Sequence, residues 1–125
     1  MISVKQTLLI HERAIKIHGG SNGVRDQGSL ESALARPFQT FDGEELYQSF
    51  EEKAAAIAES IIINHPFVDG NKRTGYILME AILKFGNINI ISSDAEIYKM
   101  VIDISTGDLR FDEIVIWLKA NTAKR

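Results

Sequence analysis

The sequence predicts an all-α fold, a compact single-domain bundle of about six helices with a small β-flap. Apolar residues recur at helical spacing along most of the chain, and Ser-x-x-Glu capping boxes at Ser49 and Ser93 precede two of these stretches. Only two prolines interrupt the pattern, and no long alternating strand occurs. Because the chain has 125 residues, of which 45% are hydrophobic, we expect one hydrophobic core within a single domain, residues 1–125.

The sequence pattern of the N-terminal half predicts three helices. The first runs from about Ser3 to His18, and a short one runs from a cap at Ser29 to Ala35. A core helix opens at the Ser49 capping box and ends near His65, because Pro66 disfavours helical geometry at the residue before it. His65 continues the apolar stripe of this helix, so we expect its imidazole at the helix end and facing inward. The other members of the stripe are Phe50, Ala54, Ile57, Ala58 and Ile61.

The C-terminal half predicts three more helices. The first begins near Asn71 or Lys72 and stops at Gly86, the second follows the capping box at Ser93, and the third carries the remaining apolar stripe. A brief strand at Ile88–Ile91 is a weak signal, so the flap is the only β-structure that we expect. The apolar faces of the first and third helices comprise Leu78, Ala81, Ile82 and Phe85, then Phe111, Ile114, Val115 and Leu118, with Trp117 in the core.

The flap is predicted from a break in the helical pattern. Arg36 precedes Pro37 and should therefore leave helical geometry, after which the chain runs extended to the Asp42-Gly43 turn signal. The flap residues that follow from this interpretation are Pro37, Phe38, Gln39, Thr40 and Phe41.

Composition restricts the class of partner and the location. A formal charge of −3 argues against general affinity for nucleic-acid backbones, so we expect no direct nucleic-acid binding. The absence of cysteine excludes a disulfide scaffold and a thiolate metal site and fits a cytoplasmic location. We expect no membrane association, since no stretch has the length and apolarity of a spanning helix. His11 and His18 lie on the apolar side of the first helix and are interpreted as structural.

Residues 65–73, His-Pro-Phe-Val-Asp-Gly-Asn-Lys-Arg, concentrate ionisable side chains between two helix ends. Gly70–Lys72 would offer the unpaired N–H groups of a helix N-terminus to an anion, and Arg73 would add a bidentate cation. Asp69 is the kind of oxygen ligand that Mg²⁺ uses alongside phosphates. His65 is then available to accept a proton, and the whole segment suits phosphate chemistry.

This segment resembles the signature of the Fic family, H-x-F-x-[DE]-G-N-x-R, at every fixed position, and residues 26–37 and 51–55 resemble death-on-curing proteins. The resemblance implies a Fic/DOC fold in which His65 is the general base toward a protein hydroxyl and Asp69 holds Mg²⁺. It also implies that Phe67 anchors the loop. The expected co-substrate is ATP or another nucleoside triphosphate, and the residues implied in phosphate binding are Gly70, Asn71, Lys72 and Arg73.

Two departures from the signature bear on the reaction. Lys72 stands where AMP-transferring members usually have a second glycine, and Tyr76 stands where they usually have a second arginine. Both favour the death-on-curing branch, which resembles kinases in presenting the γ-phosphate to a Ser or Thr hydroxyl, with elongation factor Tu as target and translation blocked. Gly70 replaces the alanine of the best-known death-on-curing motif, so AMP transfer stays the alternative.

The resemblance implies two protein partners. One is a cognate antitoxin whose tail lies over the nucleotide groove, and the other is a target protein whose extended segment adds a strand to the flap. A third functional hypothesis is a non-catalytic antitoxin-binding protein or corepressor. The presence of His65 disfavours it, because anion binding alone needs no base.

Overall fold

A computed structural model describes residues 2–125 and contains six α-helices in that range. The all-α class predicted from the sequence is confirmed. Within the described residues, every helix is too short or too polar to cross a membrane. The helices are α1 Val4–His18, α2 Gln27–Ala35, α3 Phe50–Asn64, α4 Asn71–Phe85, α5 Asp94–Thr106 and α6 Phe111–Ala120.

Helix α3 is the centre of the packing. The run from Lys53 to Ile62 is buried without a break, and α2, α4, α5 and α6 all contact it. Its main neighbour is α4, where a Cβ added to Gly75 would lie 2.7 Å from Cγ1 of Ile62, so glycine is what lets the two helices approach. The loop between α3 and α4 therefore lies at the end of the most tightly packed pair of helices.

Two small antiparallel sheets accompany the helices. Thr40–Phe41 (β1) pairs with Glu44–Glu45 (β2) across Asp42 and Gly43, whose positive φ values of 54° and 82° form a two-residue hairpin turn. Ile88–Ile90 (β3) pairs with Thr122–Lys124 (β4). The expectation that the flap is the only β-structure is therefore wrong. The second sheet joins segments that are distant in sequence, and a short strand after α6 carries no local alternation that could reveal it.

Two predicted boundaries around α2 are also wrong. The helix begins at Gln27, and Asp26 caps it by accepting a hydrogen bond from the N–H of Ser29, which lies inside the helix. Arg36 keeps helical dihedral angles of −51° and −47° before Pro37, and a 3₁₀ turn, Arg36–Phe38, follows α2 directly. Proline is tolerated in this first turn, where no N–H donor is needed.

The flap is consequently shorter than predicted. Pro37 is buried and Phe38 is half-buried against the core, so neither belongs to an extended segment. The extended chain starts at Gln39, with φ −66° and ψ 146°, and β1 follows it.

The exposure of Phe85, at the end of α4, also differs from the prediction. This side chain is 52% exposed, although its position was assigned to the buried face of the helix.

Glu59 joins three elements through one carboxylate. Its Oε1 accepts a hydrogen bond from Arg36 at 2.9 Å, and its Oε2 accepts bonds from Arg110 at 3.0 Å and from the N–H of Phe111 at 2.7 Å. Burial alone would raise the pKa of Glu59, but hydrogen bonds from Arg110, Arg36 and Phe111 hold it below its usual value. The end of α2, the middle of α3 and the start of α6 are therefore fixed to one another.

We expect Glu59→Gln to lower the free energy of unfolding by about 2 kcal/mol, because two partly exposed guanidinium groups lose their shared anion. The pKa of Glu59 is lower in the folded protein, so its contribution is complete above the ordinary glutamate pKa and disappears as the pH falls through the folded-state pKa. Urea titrations at neutral and acidic pH measure both effects. Glu31→Gln, on the exposed surface of α2, is the control. An equal loss for both variants would contradict the role of Glu59.

Candidate active site

The loop from His65 to Gly70 and the first turn of α4 form one wall of a surface cleft of about 330 Å³. The end of α1 forms the opposite wall. The cleft brings together the predicted base, metal ligand and phosphate-binding residues, whereas Phe67 lies beneath the loop and the flap residues are not part of the lining. The lining residues are His18, Gly19, His65, Val68, Asp69, Gly70, Asn71, Lys72 and Arg73.

His65 is exposed, so the expectation that it faces inward is wrong. It caps α3 in the left-handed conformation, with φ 50° and ψ 61°, and this turn takes its side chain off the apolar stripe of the helix. Nδ1 lies 2.9 Å from the carbonyl oxygen of Ile63. Because a carbonyl only accepts hydrogen bonds, Nδ1 is the protonated nitrogen of the neutral imidazole, and the lone pair is then on Nε2. The imidazole is therefore held in the tautomer that a general base needs.

Asp69 presents an exposed carboxylate to the same cleft. The N–H of Ser21 donates to Oδ2 at 3.2 Å and the N–H of Gly70 donates to Oδ1 at 2.8 Å. These two bonds lower the pKa of the Asp69 carboxyl, so the group is ionised at neutral pH. Each oxygen retains a further lone pair with which it could bind a cation.

The donor set suits Mg²⁺ only if the nucleotide supplies further ligands. Among residues 2–125, no three His, Asp or Glu side chains are close enough together to hold a metal ion. Mg²⁺ is commonly bound by one or two carboxylates together with substrate phosphates and water. Asp69 beside a phosphate-binding helix end fits this pattern.

The N-terminus of α4 is open to the cleft. Gly70 precedes the helix at φ 76°, and no side chain caps the first N–H groups. The first turn contains no acidic residue, and Lys72 and Arg73 are exposed without an ion-pair partner among the described residues. The helix dipole and two cations therefore act on the same space, as an anion site requires.

Asn71 shapes the loop with its side chain. Its Oδ1 accepts a hydrogen bond from the N–H of Phe67 and its Nδ2 donates to the carbonyl of Phe67, both at 3.0 Å. Asn71 is buried and Phe67 is fully buried. Because the side chain is buried and its amide bridges the backbone of Phe67, we expect a phosphate contact from Asn71 to come from its backbone N–H.

The two histidines of α1 differ in position. His11 is buried, and its ring stacks on Phe67 with centroids 3.8 Å apart and planes inclined by 6°. Its Nε2 donates to the carbonyl of Asp69 at 2.7 Å. His18 is exposed at the edge of the cleft, so the expectation that it lies on the buried side of α1 is wrong. Helix α1 carries the buried support of the loop and also part of the cleft wall.

Arg25 was missed by sequence reasoning. Its Nε donates to the carbonyl of His65 and its Nη2 to the carbonyl of Asn64, both at 2.6 Å. The backbone N–H of Arg25 also donates to the carbonyl of Pro66 at 2.8 Å, and the N–H of Val68 donates to Gly23 at 3.0 Å. These contacts join residues about 40 positions apart, so no local pattern could have identified them.

A second cleft, of about 530 Å³, lies between α4 and α5 and shares Lys72 and Arg73 with the first. The Tyr76 hydroxyl donates to Glu80 at 3.2 Å. Burial and the Glu80 carboxylate raise the pKa of Tyr76 to about 12, so the phenol stays neutral at physiological pH. The remaining lining residues are Asp94, Ile97, Tyr98, Val101 and Ile102, which make most of this cleft apolar.

Fold and site together define an all-helical protein in which a histidine and a helix N-terminus face one cleft. The sequence profile of the Fic/DOC family matches residues 1–83. The chain is 34% identical over 99 residues to the toxin Doc of Mycolicibacterium smegmatis. The aligned region covers 77% of this chain and 75% of that protein. It is 25% identical over 118 residues to the protein kinase doc of Escherichia phage P1, covering 94% and 92% of the two chains. The chain belongs to the Fic/DOC family.

We expect Arg25→Ala to lower the free energy of unfolding by about 1–2 kcal/mol, because two carbonyl groups at the end of α3 lose a charged donor in a partly solvated site. Chemical denaturation measures the change. Arg13→Ala removes an exposed arginine from α1 and is the matched control. If the two variants are equally stable, the bonds from Arg25 contribute nothing to the fold.

Proposed function

We propose that this protein is a Doc-like toxin that transfers the γ-phosphate of ATP, or of another nucleoside triphosphate, to a Ser or Thr hydroxyl of a target protein. The observation that carries the proposal is that Nε2 of His65, free to accept a proton, shares one cleft with the uncapped N-terminus of α4. The name of one relative, protein kinase doc, supports this reaction class, and the name of the other, toxin Doc, supports the role as a toxin.

In the proposed reaction, Nε2 of His65 accepts the proton of the target hydroxyl as its oxygen attacks the γ-phosphorus. The new P–O bond forms as the bond to the leaving nucleoside diphosphate breaks, and the imidazolium later releases its proton to solvent. Lys72, Arg73 and the first N–H groups of α4 stabilise the phosphate charge. Mg²⁺, which Asp69 would hold, neutralises donor phosphates when it is bound.

The distribution of charge along α4 favours phosphate transfer over AMP transfer. Lys72 and Arg73 lie in the first turn, whereas Tyr76 is neutral and hydrogen-bonded to Glu80. Position 76 of α4 therefore has no cation that could hold an inner phosphate. The apolar cleft between α4 and α5 begins at the same two cations and would accept the nucleoside. AMP transfer is the second candidate reaction, since the histidine and the loop would serve both.

The proposed biological context follows from the resemblance of residues 65–73 to the death-on-curing branch of the family. We propose elongation factor Tu as the target, arrest of translation as the consequence, the cytoplasm as the location and a cognate antitoxin as the inhibitor. Intact mass of purified elongation factor Tu, after incubation with this protein, ATP and Mg²⁺, distinguishes the reactions. Addition of phosphate supports the proposal, addition of AMP supports the second candidate, and an unmodified target rejects elongation factor Tu as the substrate.

We expect His65→Ala to lower transfer by roughly 10²- to 10⁴-fold, because the target hydroxyl loses its general base. Affinity for ATP should be largely unchanged, since the groups that would bind the phosphates are the first N–H groups of α4, Lys72 and Arg73. His18→Ala removes the other imidazole of the cleft and is the matched control. Full activity of His65→Ala under saturating ATP and Mg²⁺ would rule out the proposed base.

We expect Asp69→Ala to abolish the Mg²⁺ dependence of ATP binding and most of the activity, because Asp69 is the only carboxylate among the residues that line the cleft. Calorimetric titration with ATP, with and without Mg²⁺, measures the dependence. Asp112→Asn, on the exposed surface of α6, is the control. If metal-dependent binding persists in Asp69→Ala, the metal ligand lies elsewhere in the protein.

The geometry of the flap supports target docking by strand addition. The N–H of Leu46 donates to the carbonyl of Gln39 at 3.0 Å, and Thr40 faces Glu45 in the next register position. Bonded and non-bonded pairs alternate in an antiparallel ladder, so the N–H of Thr40 points away from β2. Phe41 is 75% exposed beside it. The outer edge of β1 therefore offers a backbone donor to an extended segment.

We expect Thr40→Pro to reduce modification of the target by about tenfold, the effect of one lost backbone hydrogen bond, while ATP binding is unchanged. The hairpin should survive, because the lost N–H is outside the ladder and Gln39 already has the extended geometry that precedes proline. Thr40→Val keeps the N–H and is the control. If modification survives and ATP binding falls, the flap lines the nucleotide site instead.

A further inference from the structure

We infer that His11 is a positioning residue, whose Nε2–H sets the direction in which the Asp69 carboxylate faces. The inference rests on the proposed function for the metal-binding role of Asp69. It starts from the 2.7 Å contact between Nε2 of His11 and the carbonyl oxygen of Asp69. His11 is buried, belongs to α1, and lies 58 residues before Asp69 in the sequence.

The tautomer of His11 follows from its partner. A carbonyl oxygen only accepts hydrogen bonds, so Nε2 of His11 must carry the proton. The stack on the fully buried Phe67 ring fixes the plane of the imidazole and thereby the direction of this donor. His65 is held in the opposite tautomer, with the proton on Nδ1. The two histidines therefore have different roles at the same loop, one as a fixed donor and the other as a proton acceptor.

The donor acts on the peptide that links Asp69 to Gly70. The N–H of Gly70, on the same peptide as the Asp69 carbonyl, donates to Oδ1 of Asp69 at 2.8 Å. A rotation of this peptide would therefore break the bond to Oδ1 as well as the bond to the carbonyl, and the carboxylate would keep only its bond from the N–H of Ser21. A Cβ added to Gly70 would lie 3.0 Å from Cδ1 of Ile15 and 3.5 Å from Nε2 of His11, so the peptide rests directly on α1. Fixing the carbonyl toward α1 leaves the carboxylate at the cleft.

Two variants separate positioning from packing. His11→Phe keeps an aromatic ring on Phe67 and removes the donor, whereas His11→Gln keeps an N–H donor and removes the ring. We expect His11→Phe to weaken binding of Mg·ATP by about tenfold or more, as loss of a group that orients a metal ligand does, with little change for ATP in EDTA. His11→Gln should bind Mg·ATP nearly as well as the original protein although it is no more stable than His11→Phe. If the affinities of the two variants for Mg·ATP follow the order of their thermal stabilities, the inference is overturned.

Spectra of the nucleotide-free protein test the same inference independently of the proposed function. Ring ¹H–¹⁵N correlations should show the proton of His11 on Nε2, and a proton on Nδ1 alone would overturn the assignment. The amide resonance of Gly70 should move in His11→Phe toward its position in Asp69→Ala and stay in place in His11→Gln. An unmoved resonance in His11→Phe rejects positioning. If the resonance moves as expected but no protein binds Mg·ATP, the proposed function fails and the positioning role stands.

Discussion

The site depends on how the loop between α3 and α4 is held. Two helix ends meet there, and each leaves backbone groups without helical partners. Arg25 binds the free carbonyls at the end of α3, the amide of Asn71 bridges the backbone of Phe67, and His11 binds the carbonyl of Asp69. These contacts fix the backbone on the core side, while the N–H groups of α4 stay open on the other. The loop is therefore hydrogen-bonded to the protein on one side and offers free N–H donors on the other.

Side chains of opposite charge lie in the same cleft. The carboxylate of Asp69 and the cations of Lys72 and Arg73 line the same cleft without pairing with one another in the described residues. Opposite charges so close would ordinarily be expected to meet, but two backbone N–H groups engage the carboxylate and lower the pKa of Asp69. The cations are therefore left for an external anion, and the ionised carboxylate is left for a cation that the anion would bring with it.

Sequence reasoning found what is local and missed what is distant. The helices followed from periodicity and capping boxes, and the chemistry of residues 65–73 followed from side-chain types at fixed spacing. The exposure of His65 was predicted wrongly because the stripe of α3 was extended through a residue whose left-handed backbone turns it outward. Arg25 and the pairing of β3 with β4 depend on contacts between distant segments. At Arg36, contacts with Tyr47 and Glu59 overrode the local effect of the following proline.

The left-handed turn at His65 determines where its imidazole lies. Had the helix continued, the imidazole would lie on the stripe that α3 buries, where it could not receive a proton from a protein substrate. A non-glycine residue in this conformation costs of the order of 1 kcal/mol. Here the carbonyl of His65 is bound by Arg25 and its Nδ1–H by Ile63, so both the backbone and the ring are fixed in the strained state. The turn places the imidazole at the cleft, and the bond from Nδ1–H to Ile63 leaves Nε2 as the nitrogen that the proposed reaction uses as its base.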